Sequence, residues 1–410
     1  MTFILAAAAA ASAGAQGGAP QQAGAALLER ARALHKQVPL IDGHNDFPWE
    51  VREKSKGDVD ARDMRDTVEG HTDIARLREG GVGAQFWSVY VPSNEPEPVT
   101  ATLEQIDIVH RMLRKYPDTL ELALTAADIE RVFAKGKIAS LIGMEGGHSI
   151  DSSLGTLRMM YRLGARYMTL THGSNIPWAD SATDTPVLGG LSPFGETVVR
   201  EMNWLGMMVD LSHVSPDTMA DAIRVSEAPV IFSHSSAKAI ANVPRNVPDD
   251  ILRELPKKDG VVMVTFVPGF LSQLVADRNA RETAETARLR AVAGSTDATV
   301  EAGVVAWRTA NPAPDATLAQ VADHIDHIRK VAGINHVGLG GDFDGITSVP
   351  KGLEDVSTYP ALTAELLRRG YTDDDVKRVL GLNMLRVMQK VEDVAARLQE
   401  KRGPSSAKIK

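Results

Sequence analysis

Eight short apolar runs recur along the chain, at 38–42, 83–91, 137–143, 166–171, 206–211, 229–232, 260–266 and 336–340. Runs of this length, bounded by turn residues, read as buried strands. Helical patterns fall between them, at 24–36, 100–115, 152–163 and 193–204, and again from Ser215 and Pro216, whose order suits a helix start. Eight strands alternating with helices is the count that a closed parallel barrel needs, so the pattern predicts an α/β fold of the (β/α)8 type. An open doubly wound sheet also alternates, but it gathers its ligands at one switch point. Here polar motifs follow nearly every run, which favours the closed barrel. The Ala- and Glu-rich stretch at 271–316 reads as a helical insertion between strands seven and eight. Helices at 360–369 and 373–399 close the C-terminal side.

One domain then spans 31–400, with a polar tail at 401–410 and a Gly/Ala/Gln/Pro-rich flexible linker at 16–30. Residues 3–11 resemble the apolar core of a secretory signal, followed by the small-residue cleavage pattern Ala13, Gly14, Ala15. The expectation is export to the periplasm of a bacterium, with a signal peptide over 1–15. No Lys or Arg precedes the apolar stretch, so a cytoplasmic location is the alternative.

Composition narrows the classes. With 43% hydrophobic and 24% charged residues the chain is an ordinary globular protein, and its formal charge of −8 argues against nucleic acid. No run reaches the roughly 20 apolar residues of a membrane span. Cysteine is absent, which removes disulfides, thiolate nucleophiles and Cys-ligated zinc. Any metal must be held by His, Asp and Glu, and that points to catalysis.

Five motifs just past apolar runs carry the candidate chemistry: His44-Asn45-Asp46, Met144-Glu145-Gly146-Gly147, Asp210-Leu211-Ser212-His213, Phe232-Ser233-His234 and Gly341-Asp342-Phe343-Asp344. In a parallel barrel all strand C-termini open on one face, so these residues converge. His44 and Asp46 are two apart and share a face of an extended chain. Taken singly, each motif also has an ordinary structural explanation, Glu145 as a turn carboxylate and His213 or His234 as hydrogen-bonded shell residues. Together they supply enough ligands for two divalent ions, which zinc accepts. Paired metals polarise a carbonyl and activate water, and amide hydrolysis is the natural use.

His172 is then a candidate for oxyanion stabilisation and Asp342 for proton transfer to the leaving amine, with Asp344 competing for that role. Arg245 could clamp a substrate carboxylate, or be a surface salt-bridge residue. His324 and His327 belong to a helix outside the barrel, and His336 to the opposite end from the site. His35, His71 and His110 read as surface residues, and His148 as a neighbour of Glu145 that supports it.

The motifs IDGHND at 41–46, EGGHS at 145–149, LTH at 170–172, NIPWAD at 175–180 and GLSPFG at 190–195 resemble the membrane (renal) dipeptidase family. So do VDLSHVS at 209–215, FSHSSA at 232–237, NVPR at 242–245 and GDFDG at 341–345, and the match runs in order from about 38 to 390. The resemblance implies an amidohydrolase-like barrel with two Zn2+ ions. It implies that His44 and Asp46 bind one ion, His213 and His234 the other, and that Glu145 bridges them. It further implies that His172 contacts the scissile carbonyl and Arg245 the substrate carboxyl terminus. Asp342 would shuttle the proton from a metal-bridging hydroxide to the leaving nitrogen. The implied substrates are dipeptides, including those with a C-terminal D-residue, and the implied assembly is a homodimer.

The lack of disulfides and of a lipid-anchor signal suits a bacterial relative. After strand seven, where family members can present a tyrosine, this chain has Phe270. Two other readings stand beside the dipeptidase. One is the same barrel acting on another amide, an N-acyl amino acid or a β-lactam. The other is an inactive carboxylate-binding protein, against which the complete ligand set argues.

Overall fold

The computed structural model describes residues 18–66 and 69–409. The segment read as a signal peptide lies outside the described residues. Among the described residues there are nine strands: β1 (Leu40–Asn45), β2 (Val82–Tyr90), β3 (Leu120–Leu122), β4 (Ile138–Glu145), β5 (Ala165–Thr169), β6 (Met208–Asp210), β7 (Val230–Phe232), β8 (Val261–Val264) and β9 (Val337–Leu339). Eight of them overlie the eight apolar runs. They pair in parallel in the order β1, β2, β4, β5, β6, β7, β8, β9, and the ring closes where Asp42 of β1 meets Leu339 of β9. The fold is a closed (β/α)8 barrel.

The ninth strand, β3, was not among the runs. It pairs with the first half of β4, from Leu120 opposite Ile138 to Leu122 opposite Ser140, and β5 takes over from Ala165 opposite Ile142. Three residues with one buried side chain carry too little pattern to be seen in a sequence.

Strand period decides how the core divides. Leu40, Trp87, Ile142, Met168, Val209 and Val230 join the cluster between sheet and helices. Their chain neighbours Ile41, Phe86, Leu141, Tyr167, Met208 and Ile231 join a second cluster inside the barrel. Successive strand side chains point to opposite faces, so both faces of this sheet are apolar and buried. The last helix, Asn383–Lys401, contributes Met384, Val387, Met388 and Val391 to that interior cluster. Asn383 Nδ2 donates to the carbonyls of Ile334 and Val337 at the start of β9. That helix therefore stoppers the N-terminal end, and the C-terminal end is the open one.

The insertion between β8 and β9 is helical as expected, with helices Gln273–Arg290 and Asp297–Ala310 bound by Arg308 to Glu282. The helix Pro216–Val225 starts where the sequence suggests, with Ser215 Oγ accepting from Thr218 N. Two expectations need correction. The first helix runs Gly18–His35, through most of the stretch read as a linker, because its Ala and Gln residues favour helix more than its glycines oppose it. The long C-terminal helix is interrupted by a widened turn at Arg378–Leu382, where a Cβ on Gly381 would stand 2.1 Å from the Pro39 carbonyl oxygen. Among the described residues no helix is long and apolar enough to cross a membrane.

Candidate active site

The open end holds a cleft of about 720 Å³ whose walls include Tyr90, Glu145, His172, Arg245, Phe270 and Asp342. Each motif residue stands at a strand end on this side: His44 on β1 and His234 beyond β7, both buried at its floor, and Glu145 from β4, His172 beyond β5, His213 beyond β6 and Asp342 beyond β9, which line it. Glu145 is central. Its Oε2 lies 3.4 Å from His44 Nε2, while Oε1 lies 3.0 Å from His213 Nε2, 3.4 Å from His234 Nε2 and 3.7 Å from His172 Nε2. One carboxylate thus presents one oxygen to each of two donor groups. Asp46 Oδ2 sits 3.2 Å from His44 Nε2, on the first side.

The local backbone is unusual where it aims these groups. His213, Asp342 and Asp344 have φ of 69°, 63° and 65°, a left-handed conformation that non-glycine residues adopt at a cost of about 1–3 kcal/mol each. The His213 carbonyl is fixed by Ala182 N at 2.7 Å, Thr171 Oγ1 at 3.1 Å and Ser181 Oγ at 3.3 Å. Asp42 Oδ1 accepts from Gly341 N at 2.8 Å and His44 N at 3.2 Å, tying the ends of β1 and β9 together. Gly345 leaves space that a Cβ would fill, 2.2 Å from Asp46 Oδ2 and 2.5 Å from Asp342 Oδ1.

The residues fit a metal. Three groups, His44 with Glu145 and His234, Glu145 with His172 and His213, and His44 with Asp46 and Asp342, each bring their ligand atoms within 4.8 Å of one another. His44 Nε2 and Asp46 Oδ1 are buried without a hydrogen bond. An orphaned donor–acceptor set of this kind is costly unless a cation completes it.

Charge states agree. Burial, the Arg245 guanidinium and nearby imidazoles hold His213 and His234 well below the usual imidazole range, which leaves neutral rings with lone pairs to share. Burial opposes charge on Glu145, but His44, His213 and His234 outweigh it and hold the carboxyl well below its ordinary range. Burial likewise opposes charge on His44, yet Tyr167, Glu145 and Asp46 outweigh it and favour a positive centre there. Asp342 goes the other way, pushed well above the carboxylate range by burial and by Asp46 and Glu145.

Arg245 is buried, not a surface residue, and burial lowers its pKa to about 10. Its Nη1 and Nη2 make only long bonds, 3.4 Å to Ser235 Oγ and 3.3 Å to the His234 carbonyl, and Nε is unpartnered. The guanidinium stands 5.2 Å from the Phe270 ring. An underused buried cation facing a cleft suits a carboxylate.

Asp344 differs from Asp342. It exchanges bonds with His71, Oδ1 accepting from His71 N at 2.6 Å and its own N donating to His71 Nδ1 at 3.0 Å. His71 therefore lines the cleft, contrary to its reading as a surface residue. His35 is also buried, bonded to the Gly80 carbonyl and Thr363 Oγ1. Partners distant in sequence made both placements unreadable. His148 Nε2 bonds the Val91 carbonyl rather than Glu145. His324, His327 and His336 lie away from the site, with partners at Leu271, Asp249 and Gly260 respectively. Sequence reasoning passed over Trp49 and Tyr90, whose rings pack at 4.8 Å in the cleft wall, and Tyr167 inside the barrel. The two tyrosines sit in apolar runs and look like core.

Comparison with known proteins agrees with this geometry. The family model described as membrane dipeptidase (peptidase family M19) matches residues 28–402. The dipeptidase verJ of Clonostachys rogersoniana is 42% identical over 386 residues, covering 91% of this chain and 89% of that protein. The crystal structure of the probable dipeptidase PvdM from Pseudomonas aeruginosa superposes with a TM-score of 0.80 at 25% identity, over 90% of this chain and 100% of that one. A metallopeptidase from Rhodobacter sphaeroides, liganded with a phosphinate mimic of the dipeptide L-Ala-D-Ala, has a TM-score of 0.70 at 24% identity, over 86% of this chain and 99% of that one.

Proposed function

Given that the chain belongs to the membrane dipeptidase family of metallopeptidases, we propose that it hydrolyses dipeptides with two zinc ions, including dipeptides that end in a D-residue. The observation that carries the two-ion reading is Glu145, whose Oε2 faces His44 and whose Oε1 faces His213 and His234. His44 and Asp46 would hold one ion, His213 and His234 the other, with Glu145 shared. When bound, such a pair supplies Lewis-acid polarisation of the carbonyl and a water acidic enough to act near neutral pH.

The remaining steps belong to the protein. Arg245 receives the substrate's terminal carboxylate and fixes which end enters. His172, whose pKa burial lowers, offers a neutral ring to the carbonyl oxygen as charge develops there. Asp342, whose carboxylate is made more basic than usual by burial and by Asp46 and Glu145, would in its ionised form take the proton lost by the attacking water and then return it to the leaving nitrogen. Water adds across the C–N bond, and an acid and a free amine leave.

The test is amino acid release from L-Ala-D-Ala by protein as purified, chelator-stripped, and reloaded with zinc. Turnover that vanishes on stripping and returns with zinc is expected. A zinc-loaded protein that turns over no dipeptide, yet cleaves an N-acyl amino acid, would replace this substrate class.

A further inference from the structure

At two of the candidate ligands, the ring nitrogen turned away from the cleft meets a hydroxyl whose proton is committed elsewhere. Ser233 Oγ lies 2.6 Å from Asp210 Oδ2 and 2.8 Å from His234 Nδ1. Asp210 also accepts from Thr169 Oγ1 at 2.5 Å, and from the backbone N–H groups of Ser212 and Ser233 at 3.1 and 2.8 Å. Four donors converge on this fully buried carboxylate, so it acts as acceptor throughout. A serine hydroxyl has a single proton, and here it goes to Asp210. Ser233 can then offer His234 only a lone pair. The imidazole must carry its proton on Nδ1, and its Nε2 faces the cleft side, 2.9 Å from His213 Nε2 and 3.4 Å from Glu145 Oε1.

His44 repeats the logic with different parts. Tyr167 Oη lies 3.1 Å from the Gly43 carbonyl, which can only accept, and 2.9 Å from His44 Nδ1; with the phenolic proton on the carbonyl, the imidazole is the donor in the second contact. Its Nε2 again faces inward, 3.2 Å from Asp46 Oδ2 and 3.4 Å from Glu145 Oε2. The tyrosine reaches this position through a gap in the barrel interior. A Cβ on Gly143 would stand 2.0 Å from the Tyr167 ring, so only glycine leaves room. Neither Ser233 nor Tyr167 is exposed to the cleft.

We propose that Ser233, held by Asp210, and Tyr167, held by the Gly43 carbonyl, are positioning residues that set the tautomers of His234 and His44. Each thereby governs the affinity of a different one of two ions. The inference rests on the two-ion reading above. Partners of this kind orient a ligand ring and raise its basicity, and their loss typically weakens metal binding by about 10–100-fold.

Ser233→Ala and Tyr167→Phe each delete one oxygen atom. Zinc affinity is measured by competition with a chromophoric chelator, which resolves two constants for the wild type. Ser233→Ala is expected to weaken one constant by about 10–100-fold and leave the other within about threefold, and Tyr167→Phe to do the converse. Cobalt(II) absorption bands should shift for the same ion in each variant. Melting of the metal-free variants checks that both fold.

A measurement without substitution stands behind these. Histidine 15N shifts of the zinc-loaded wild type should show His44 and His234 protonated at Nδ1 and ligated through Nε2. Unchanged constants in both variants, equal weakening of both ions by either, or ligation through Nδ1 would overturn the proposal. A wild type that binds fewer than two zinc ions would instead overturn the two-ion reading on which it rests.

Discussion

Histidines are buried both at the open mouth of the barrel and away from it, and their partners separate the two sets. His35 bonds the Gly80 carbonyl with Nδ1 at 3.0 Å and Thr363 Oγ1 with Nε2 at 2.8 Å. His324 accepts from Ala237 N at 3.0 Å and reaches the Leu271 carbonyl at 3.1 Å. Both rings are complete as neutral groups within the protein. At the mouth, His44 is completed on Nδ1 only, His234 has Ser233 on Nδ1 and only His213 Nε2, at 2.9 Å, on Nε2, and these Nε2 atoms crowd around Glu145. Burial alone therefore does not mark a ligand. A half-satisfied ring beside other half-satisfied groups does.

This contrast can be broken in stages. Glu145→Gln keeps shape but removes the charge both donor groups face. It should cost on the order of a thousandfold or more in kcat and abolish tight zinc binding, read by metal analysis after dialysis. Retention of both ions would mean that Glu145 holds neither. Substituting His172 by Ala should lower kcat by about 10²–10³-fold while zinc content stays at the wild-type value, separating a substrate-facing histidine from the metal-facing ones.

His35 and His324 sharpen the other side of the comparison. Burial lowers the pKa of each to about 4, so in the folded protein both stay neutral where the unfolded chain, near 6.5, takes up protons. Stability from these sites is intact above the unfolded value and falls as pH drops from 6.5 towards 4. His35→Gln should therefore lose about 2 kcal/mol less than the wild type between pH 7 and pH 5, measured by urea unfolding of metal-free protein, with kcat unchanged. Parallel losses would show that His35 does not titrate as a buried neutral ring. The smallest effect is expected at Arg245→Lys, which keeps charge but loses the planar fork. KM should rise about tenfold, near 1.4 kcal/mol, with little change in kcat.

Much of this was legible in the sequence because the barrel converts local signals into a shared location. Each strand is a short apolar run, and the residue after it must reach the same face, so His44, Glu145, His213, His234 and Asp342 could be gathered without contacts being known. What stayed hidden depends on pairings across the chain. Thr363 lies 328 positions from His35, and Asp344 lies 273 from His71, so neither placement was readable. Tyr167 looked like one more apolar strand residue until its hydroxyl was seen against His44, 123 positions away. Ser233 left a fainter trace, since Ser-His follows two successive strands, at Ser212-His213 and Ser233-His234. The helix through the expected linker shows the opposite limit, where composition suggested disorder and local propensity prevailed.

The most direct test of the account is a crystal of the zinc-loaded protein measured above and below the zinc absorption edge. The account predicts two anomalous peaks flanking Glu145, one bonded by His44 Nε2 and Asp46, the other by the Nε2 atoms of His213 and His234. A single peak, or peaks that leave His44 or His234 unligated, would contradict it.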